Sequence, residues 1–431
     1  MSNVNLSRYS FSGNENAAPI EDLASLPAED KERLVLAGID VNDRSVSGAF
    51  MQLNHAGVHC QTNHEGLDLM DIRTALKKFD GLPQYFWKLL DPDKDEFTRL
   101  TREHCNGGYF VRARLGQRLP EPEMSRPVGH STALGVSDFI FEILDSTKDP
   151  AVAPLGSSFP SPWLFPLDKL GRCLASAARH LDPLATVTDL PPGNDELRRQ
   201  LSLRYLAHGA RVPPQEIVIT SGAMEGLNLC LQALTRPGDL IAIESPTFYA
   251  GLQASERLGL KVVEIPSHPR EGVSLEALED ALRHHPIKAC LFMLNFANPT
   301  GSCVPDARRR ALVELLDRHD VPLIEDDVYA ELHFGPTAPL CSKAVDPQGR
   351  VMHVSSFSKC LAPGYRIGWV AAGRYAGLIQ RQKLSTSLAT TVPVQIAMAD
   401  YLRQGGYENH LRHLRRSLAA QEEIGRASCR E

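Results

Sequence analysis

Lys359 stands between the hydroxyls of Ser356 and Ser358 and the guanidinium of Arg366, in the stretch Val354–Trp369, VSSFSKCLAPGYRIGW. A primary amine can form a Schiff base with an aldehyde. Its neighbours suit a phosphate dianion, because hydroxyls donate single hydrogen bonds and an arginine donates a planar fork. Each charge-assisted hydrogen bond to such an anion contributes on the order of 1.5–3 kcal/mol. Free lysine, with a pKa of about 10.4, is a poor nucleophile near neutrality, so burial or a nearby cation must lower it. Taken alone, Ser-X-Ser-Lys favours a solvated lysine in a serine-rich loop.

The elements that must position this lysine reverse that preference. The apolar run Val351–Val354 reads as a strand end, and Pro363–Gly364 as a break, which puts Lys359 on a loop at the rim of a sheet. Upstream, Ile217–Gly226 (IVITSGAMEG) is a strand running through a glycine turn into a helix, so the amides of Gly222 and Ala223 can face an anion at a helix N-terminus. Ile241–Gly251 is a second strand, followed by a proline turn carrying Phe248 and Tyr249, either of which can lie flat on a pyridine ring. Leu291–Gly301 ends a third strand with Asn298, and Val321–Leu332 ends a fourth with acids and Tyr329. All these groups sit at carboxyl ends of predicted strands, where open parallel sheets bind ligands. Singly, Asn298 serves as a turn former, Asp327 as a helix cap and Phe248 as core. Together they favour a site.

The set TSGAMEG, SPTFY, NPTG, EDDVY and SFSK with APGYRIGW resembles the pyridoxal 5'-phosphate (PLP) aminotransferases of fold type I, class I/II. The wording is closest to the aminotransferase domain of MocR-type regulators and their 2-aminoadipate aminotransferase-like relatives. The resemblance runs from about Val136 to about Gln421. It implies an α/β fold: a mostly parallel, doubly wound large-domain sheet flanked by helices, a small C-terminal domain truncated here, and an extra α+β N-terminal segment. It also implies roles. Lys359 would hold PLP and shuttle the proton, Asp326 would pair with the pyridine nitrogen, and Asn298 and Tyr329 would bond the ring oxygen. Phe248 would stack on the ring, with Tyr249 the lesser candidate. Ser221, the amides of Gly222 and Ala223, Ser356, Ser358 and Arg366 would hold the phosphate. Substrates would be an amino acid and a 2-oxo acid, and the assembly a homodimer.

The chain has 431 residues, a net charge of −6 and no apolar run long enough to span a membrane, so a cytoplasmic location is expected and a general nucleic-acid patch is not. The nine cysteines are scattered without a CxxC pair, which reads as free buried thiols. Ile20–Ala37 and Asp95–His104 read as helical, Met70–Phe79 as amphipathic, Ser47–Cys60 as strand and Leu82–Leu89 as aromatic-rich. His55, His59, Cys60 and His64 have the spacing of a strand and turn more than of one helical face, and no metal is expected. With NHAGVHCQTNHEGLDLM and GGYFVRA, residues 1–107 resemble the N-terminal part of SufB/SufD iron–sulfur assembly proteins, without that family's β-helix.

Residues 108–135 read as the remnant of a regulator's wing, GYFVRARL, and a linker around Pro120–Ser131. Helices are expected over Val136–Leu144, Leu167–His180, from near Asn194 to Leu206, and over Gly226–Leu234, Ser274–His284, Lys383–Tyr401 and Tyr407–Gln421. The aminotransferase part is placed at 136–421 and residues 422–431 are expected to be a non-native tail. The resemblance calls for a substrate-carboxylate arginine beyond Gln421, matched by no residue here, so weak turnover is expected. Three functions follow: a PLP transaminase; the effector-sensing domain of a MocR/GntR-type regulator, with DNA binding not expected without a winged helix-turn-helix; or an iron–sulfur assembly component.

Overall fold

The computed structural model describes residues 48–53, 56–62, 67–79, 109–113, 124 and 158–430. The readings over Ile20–Ala37, Leu82–Leu89, Asp95–His104 and Val136–Leu144 lie outside the described residues, as does the linker Pro120–Ser131 except Met124. The described residues up to 113 belong to one compact unit and those from 158 to 419 to a second.

In the first unit the strand read over Ser47–Cys60 is a hairpin, β1 (Gly48–Leu53) antiparallel to β2 (Ala56–Thr62). β3 (Leu67–Asp71) leads into the short helix α1 (Ile72–Lys78) and pairs antiparallel with β4 (Tyr109–Ala113), the wing-like phrase.

The second unit is built on one eight-stranded sheet. Helices α2 (Leu167–Arg179) and α3 (Asp195–Ala207) precede it, α3 starting where Asn194 accepts the Leu197 amide. The strands are β5 (Ile217–Thr220), β6 (Leu240–Ser245), β7 (Lys261–His268), β8 (Gly272–Val273), β9 (Ile287–Phe292), β10 (Leu323–Asp326), β11 (Val351–Ser356) and β12 (Gly368–Ala371). Their order is β5-β12-β11-β10-β9-β6-β7-β8. β7, β6, β9, β10 and β11 are mutually parallel, and β12 is antiparallel to both β11 and β5. The carboxyl ends of β5, β6, β9, β10 and β11 therefore share one edge with the amino end of β12.

Alternation along the strands separates two cores. Val218, Ile241, Ile243, Ile324 and Val354 pack against α4 (Ala223–Leu234), α5 (Tyr249–Arg257) and α8 (Ala376–Thr386). Leu240, Ala242, Phe292, Leu323 and Val351 face α6 (Leu275–His284) and α7 (Asp306–His319). Burial on both faces explains why these strands read as continuous apolar runs. α9 (Val392–Arg403) joins α2 and α3 over the β5 end, and α10 spans Gly406–Arg430.

Two expectations are corrected. The helix read over Lys383–Tyr401 is two helices, α8 and α9, broken where Leu388 takes a positive φ of 62° and Pro393 starts α9. The strand–helix alternation lapses between β10 and β11, which are joined by short 3₁₀ turns at Ala330–Leu332 and Ser342–Val345. Among the described residues no helix is long and apolar enough to cross a membrane. Cys230, Cys290, Cys341 and Cys360 are free and buried.

Arg309 of α7 and Glu325 of β10 are fully buried, with Arg309 Nη1 2.5 Å from Glu325 Oε1. Removing one partner of such a pair strands the other charge. Arg309→Ala is expected to destabilise the chain by about 3–5 kcal/mol, read from a urea titration at unchanged slope. A loss below about 1 kcal/mol would show that water reaches Glu325.

Candidate active site

The edge where the strands end gathers the chemistry-bearing residues. Lys359 follows β11 on a short loop, and its Nζ lies 3.0 Å from Ser158 Oγ and 3.5 Å from the centre of the Phe159 ring. Tyr329 donates to the same Ser158 oxygen at 3.0 Å, and its ring centre is 5.5 Å from Lys359 Nζ. Burial raises the Tyr329 hydroxyl above its ordinary pKa, against its hydrogen bonding with Ser158 and Asn298. Phe248, at the start of α5, packs with Ala223 and Tyr329 on a small cluster of Met293, Ala297 and Val328. Thus Lys359, Tyr329, Asn298, Phe248 and Ala223 converge.

The anion-facing residues form an adjoining group. Arg366 donates through Nη2 to the Ser221 carbonyl at 3.0 Å and through Nη1 to Ser358 Oγ at 3.3 Å, while the Ser358 amide donates to Ser356 Oγ at 3.3 Å. Arg366 itself adopts a left-handed φ of 54°, held there by these bonds. Gly222 has φ of 86°, and a side chain there would run into the Arg366 guanidinium. The Ser221 amide is already taken by the Glu225 carboxylate at 2.5 Å. That leaves the Gly222 and Ala223 amides and the Ser221 hydroxyl for an anion at the α4 N-terminus.

Asp326 closes the site from beneath. Its carboxyl is buried and Oδ1 has no hydrogen-bond partner among the described residues. Burial, with the charge of Asp327, pushes it up to about 7, against His353, a backbone hydrogen bond from Val328, and Lys359. Burial pushes the Lys359 ammonium down to about 8, against the attraction of Asp326.

Several residues that matter here were not singled out in the sequence. Ser158 joins Lys359 to Tyr329; it belongs to Leu155–Pro166, the entry segment that the resemblance places near the substrate, but nothing in its serine pair marks it singly. Gly368 lets β12 approach the Gly222 turn, since a Cβ there would lie 2.6 Å from the Gly222 carbonyl carbon. Its only signal was its place in RIGW. Asp327 is no helix cap: its carboxylate is held by Asn295 and His353. A cavity of about 50 Å³ lies behind the strand ends, lined in part by Tyr205, His353 and Asp327, away from Lys359.

Residues 176–431 match the family described as aminotransferase class I and II. The chain belongs to that family. An uncharacterized HTH-type transcriptional regulator of Escherichia coli K12, YdcR, is 47% identical over 316 residues, 73% of this chain and 67% of that protein. Aromatic-amino-acid aminotransferase 1 of Thermococcus litoralis is 31% identical over 312 residues, covering 69% of this chain and 73% of that protein. The solved α-aminoadipate aminotransferase LysN of Thermus thermophilus, complexed with N-(5'-phosphopyridoxyl)-L-leucine, matches with a TM-score of 0.55 at 26% identity, over 60% of this chain and 66% of that one. The chain spans about two thirds of the length of the first and last of these. The iron–sulfur assembly resemblance of the N-terminal residues finds no support in these comparisons.

The family indicates PLP as cofactor, and the residues present fit it. The candidate site holds a buried carboxylate oxygen with no donor among the described residues, which a protonated ring nitrogen supplies. It also holds a glycine turn kept open beside an arginine, which a phosphate suits.

Without cofactor, Asp326 ionises near 7 in the fold and near 3.8 as an ordinary aspartate, so the folded chain holds the extra proton between those values. Stability from this group therefore falls as pH rises to about 7 and is level above it. Asp326→Asn removes the penalty. The cofactor-free variant should gain on the order of 2–3 kcal/mol more at about pH 8 than at about pH 5, read by denaturant titration at both pH values. An equal gain at both would mean that Asp326 titrates as an exposed acid.

Proposed function

We propose that the second unit, as a homodimer, binds PLP and transfers an amino group between an amino acid and a 2-oxo acid. The observation that carries this reading is the unpartnered, buried Oδ1 of Asp326 on the same edge as Lys359. In this reading Asp326 pairs with the ring nitrogen, Asn298 and Tyr329 bond the ring oxygen, and Phe248 stacks on the ring. Ser221, the amides of Gly222 and Ala223, Ser356, Ser358 and Arg366 hold the phosphate. When bound, the cofactor supplies an electron sink for the pair left at the substrate's α carbon.

Lys359 is the base of the reaction. An amine near pKa 8 keeps a useful neutral fraction at physiological pH, so Nζ can take the substrate's α proton, hold it, and give it back to the carbon on the other side of the substrate nitrogen. Ser158, 3.0 Å from both Lys359 Nζ and Tyr329 Oη, restrains the amine between strokes. The amino acids named for relatives, α-aminoadipate and the aromatic amino acids, are the first donors to screen with 2-oxoglutarate.

The name of the 47% identical Escherichia coli protein supports a second reading, in which the same pocket senses an effector for a DNA-binding regulator. Sequence-specific retardation of DNA by this chain, altered by PLP and an amino acid, would favour it over transamination alone.

The first test is an absorbance spectrum with added PLP. A visible band is expected for the chain and is lost in Lys359→Ala; no band in either protein overturns the reading.

A further inference from the structure

Behind the catalytic edge a buried polar chain ends at Asp327. His353 of β11 is in register with Glu325 of β10, and alternation turns both away from the α4 face where Ile324 and Val354 are buried. Trp369 Nε1 donates to Tyr205 Oη at 2.9 Å, Tyr205 Oη lies 2.6 Å from His353 Nδ1, and His353 Nε2 lies 2.9 Å from Asp327 Oδ2.

Hydrogen-bond chemistry gives this chain a direction. An indole N–H only donates, so the Tyr205 oxygen accepts from Trp369 and turns its own proton to Nδ1. The imidazole proton is thereby assigned to Nε2, facing the carboxylate. At the other side of Asp327, Arg309 Nη2 donates to Asn295 Oδ1 at 2.6 Å, which fixes the amide and directs its Nδ2 at both Asp327 oxygens, 3.2 Å from each. These groups are all donors toward Asp327, as an ionised carboxylate requires. The neighbouring Asp326 has an oxygen with no partner among the described residues.

Two adjacent buried carboxyls do not ionise independently. The one with fixed donors keeps the charge, and the other exchanges the proton. We propose that His353, oriented by Tyr205 and Trp369, is a positioning residue that holds Asp327 as the fixed charge and so leaves Asp326 as the acid that meets the cofactor's ring nitrogen. This inference rests on the PLP reading.

The charged groups acting on the imidazole are Asp327 and Glu325 from the end of β10 and Lys343 from the turn before β11, with Tyr205 of α3 hydrogen-bonded to it, and the imidazole in turn lowers Asp326. Burial opposes charge on His353, but the Asp327 hydrogen bond and the two acids outweigh it and raise its pKa. In either protonation state Nε2–H still faces Asp327, so the positioning does not depend on which one is present.

The test is the affinity for PLP, from absorbance titrations between about pH 6 and pH 8, in the wild-type chain, His353→Leu, His353→Gln and Tyr205→Phe. The wild-type profile should bend near pH 7, where Asp326 titrates. His353→Leu, lacking the donor, should bind at least about tenfold more weakly and displace that bend from its wild-type position, because the fixed donor that sets the two acids apart is gone. His353→Gln keeps an N–H donor and should stay within about threefold of wild type. Tyr205→Phe should shift the bend in the same direction as His353→Leu, and it carries the test if His353→Leu does not fold. Wild-type affinity and an unmoved bend in a folded His353→Leu or Tyr205→Phe would overturn the proposal. So would equal losses in His353→Leu and His353→Gln, which would mean packing alone. A wild-type chain with no band lost in Lys359→Ala overturns the cofactor reading, and this inference with it.

Discussion

Three consecutive carboxyl groups, Glu325, Asp326 and Asp327, are withdrawn from water at the end of β10. An isolated buried carboxylate is unstable by many kcal/mol, so each must be paired, hydrogen-bonded or neutralised. Alternation sends Glu325 and Asp327 to one side of the sheet and Asp326 to the other. Glu325 meets Arg309 of α7 and the Ser342 amide, which ties the helix and the turn before β11 to the strand. Asp327 meets Asn295 and His353, which ties the ends of β9 and β11 to it. Arg309 bonds both Glu325 and Asn295, so the two acids share one scaffold. Of the three, Asp326 alone is left with an oxygen unmet among the described residues, and it faces the side where α4 begins.

The antiparallel strand β12 has a matching role at the rim. Because it enters the sheet against its neighbours, the loop before it arrives at the same edge as the carboxyl ends, bringing Arg366 next to the Gly222 turn. The approach is close enough that Gly222 and Gly368 both lack room for a side chain. Glu225 anchors the turn through the Ser221 amide, and its charge is met by Lys383 at 2.8 Å, with Ser387 also bonded to it. That pairing matters electrically. An unpaired carboxylate one turn from the α4 N-terminus would repel the anion that the helix end, the amides and Arg366 are arranged to attract.

Much of this was legible in the sequence, for physical reasons. Strand ends followed by glycine, proline and asparagine turns fix where side chains emerge, and so the elements that carry Ser221, Gly222, Phe248, Asn298, Asp326 and Lys359 were legible. Spacing within a loop, as in SFSK to YRIGW, survives folding because the loop is short. What did not show were partners far apart in the chain. Tyr205 reads as one aromatic on a helix, His353 as a strand residue and Arg309 as one arginine among three; only the sheet order makes them neighbours. The break between α8 and α9 was missed because no glycine marks the gap between Thr386 and Val392 and a proline in the first turn of a helix suits it. Ser158 was hidden for a different reason: its role depends on a side-chain contact with Lys359 across the fold, with no periodic signal to mark it.

Lys359 and Asp326 restrain one another, and that coupling explains why neither is at its working state alone. Burial favours the neutral amine, but Asp326 when ionised pulls the other way, and the Phe159 ring 3.5 Å from Nζ adds a cation–π contact of about 0.5–1 kcal/mol for the charged form. Burial likewise favours neutral Asp326, with Lys359 pulling it toward charge. A cationic donor placed against Asp326 Oδ1 stabilises the carboxylate directly and screens Lys359 from it. The lysine then loses its main reason to stay protonated. A group that satisfies the buried acid therefore also favours the neutral amine, so one binding event acts on the protonation of both residues.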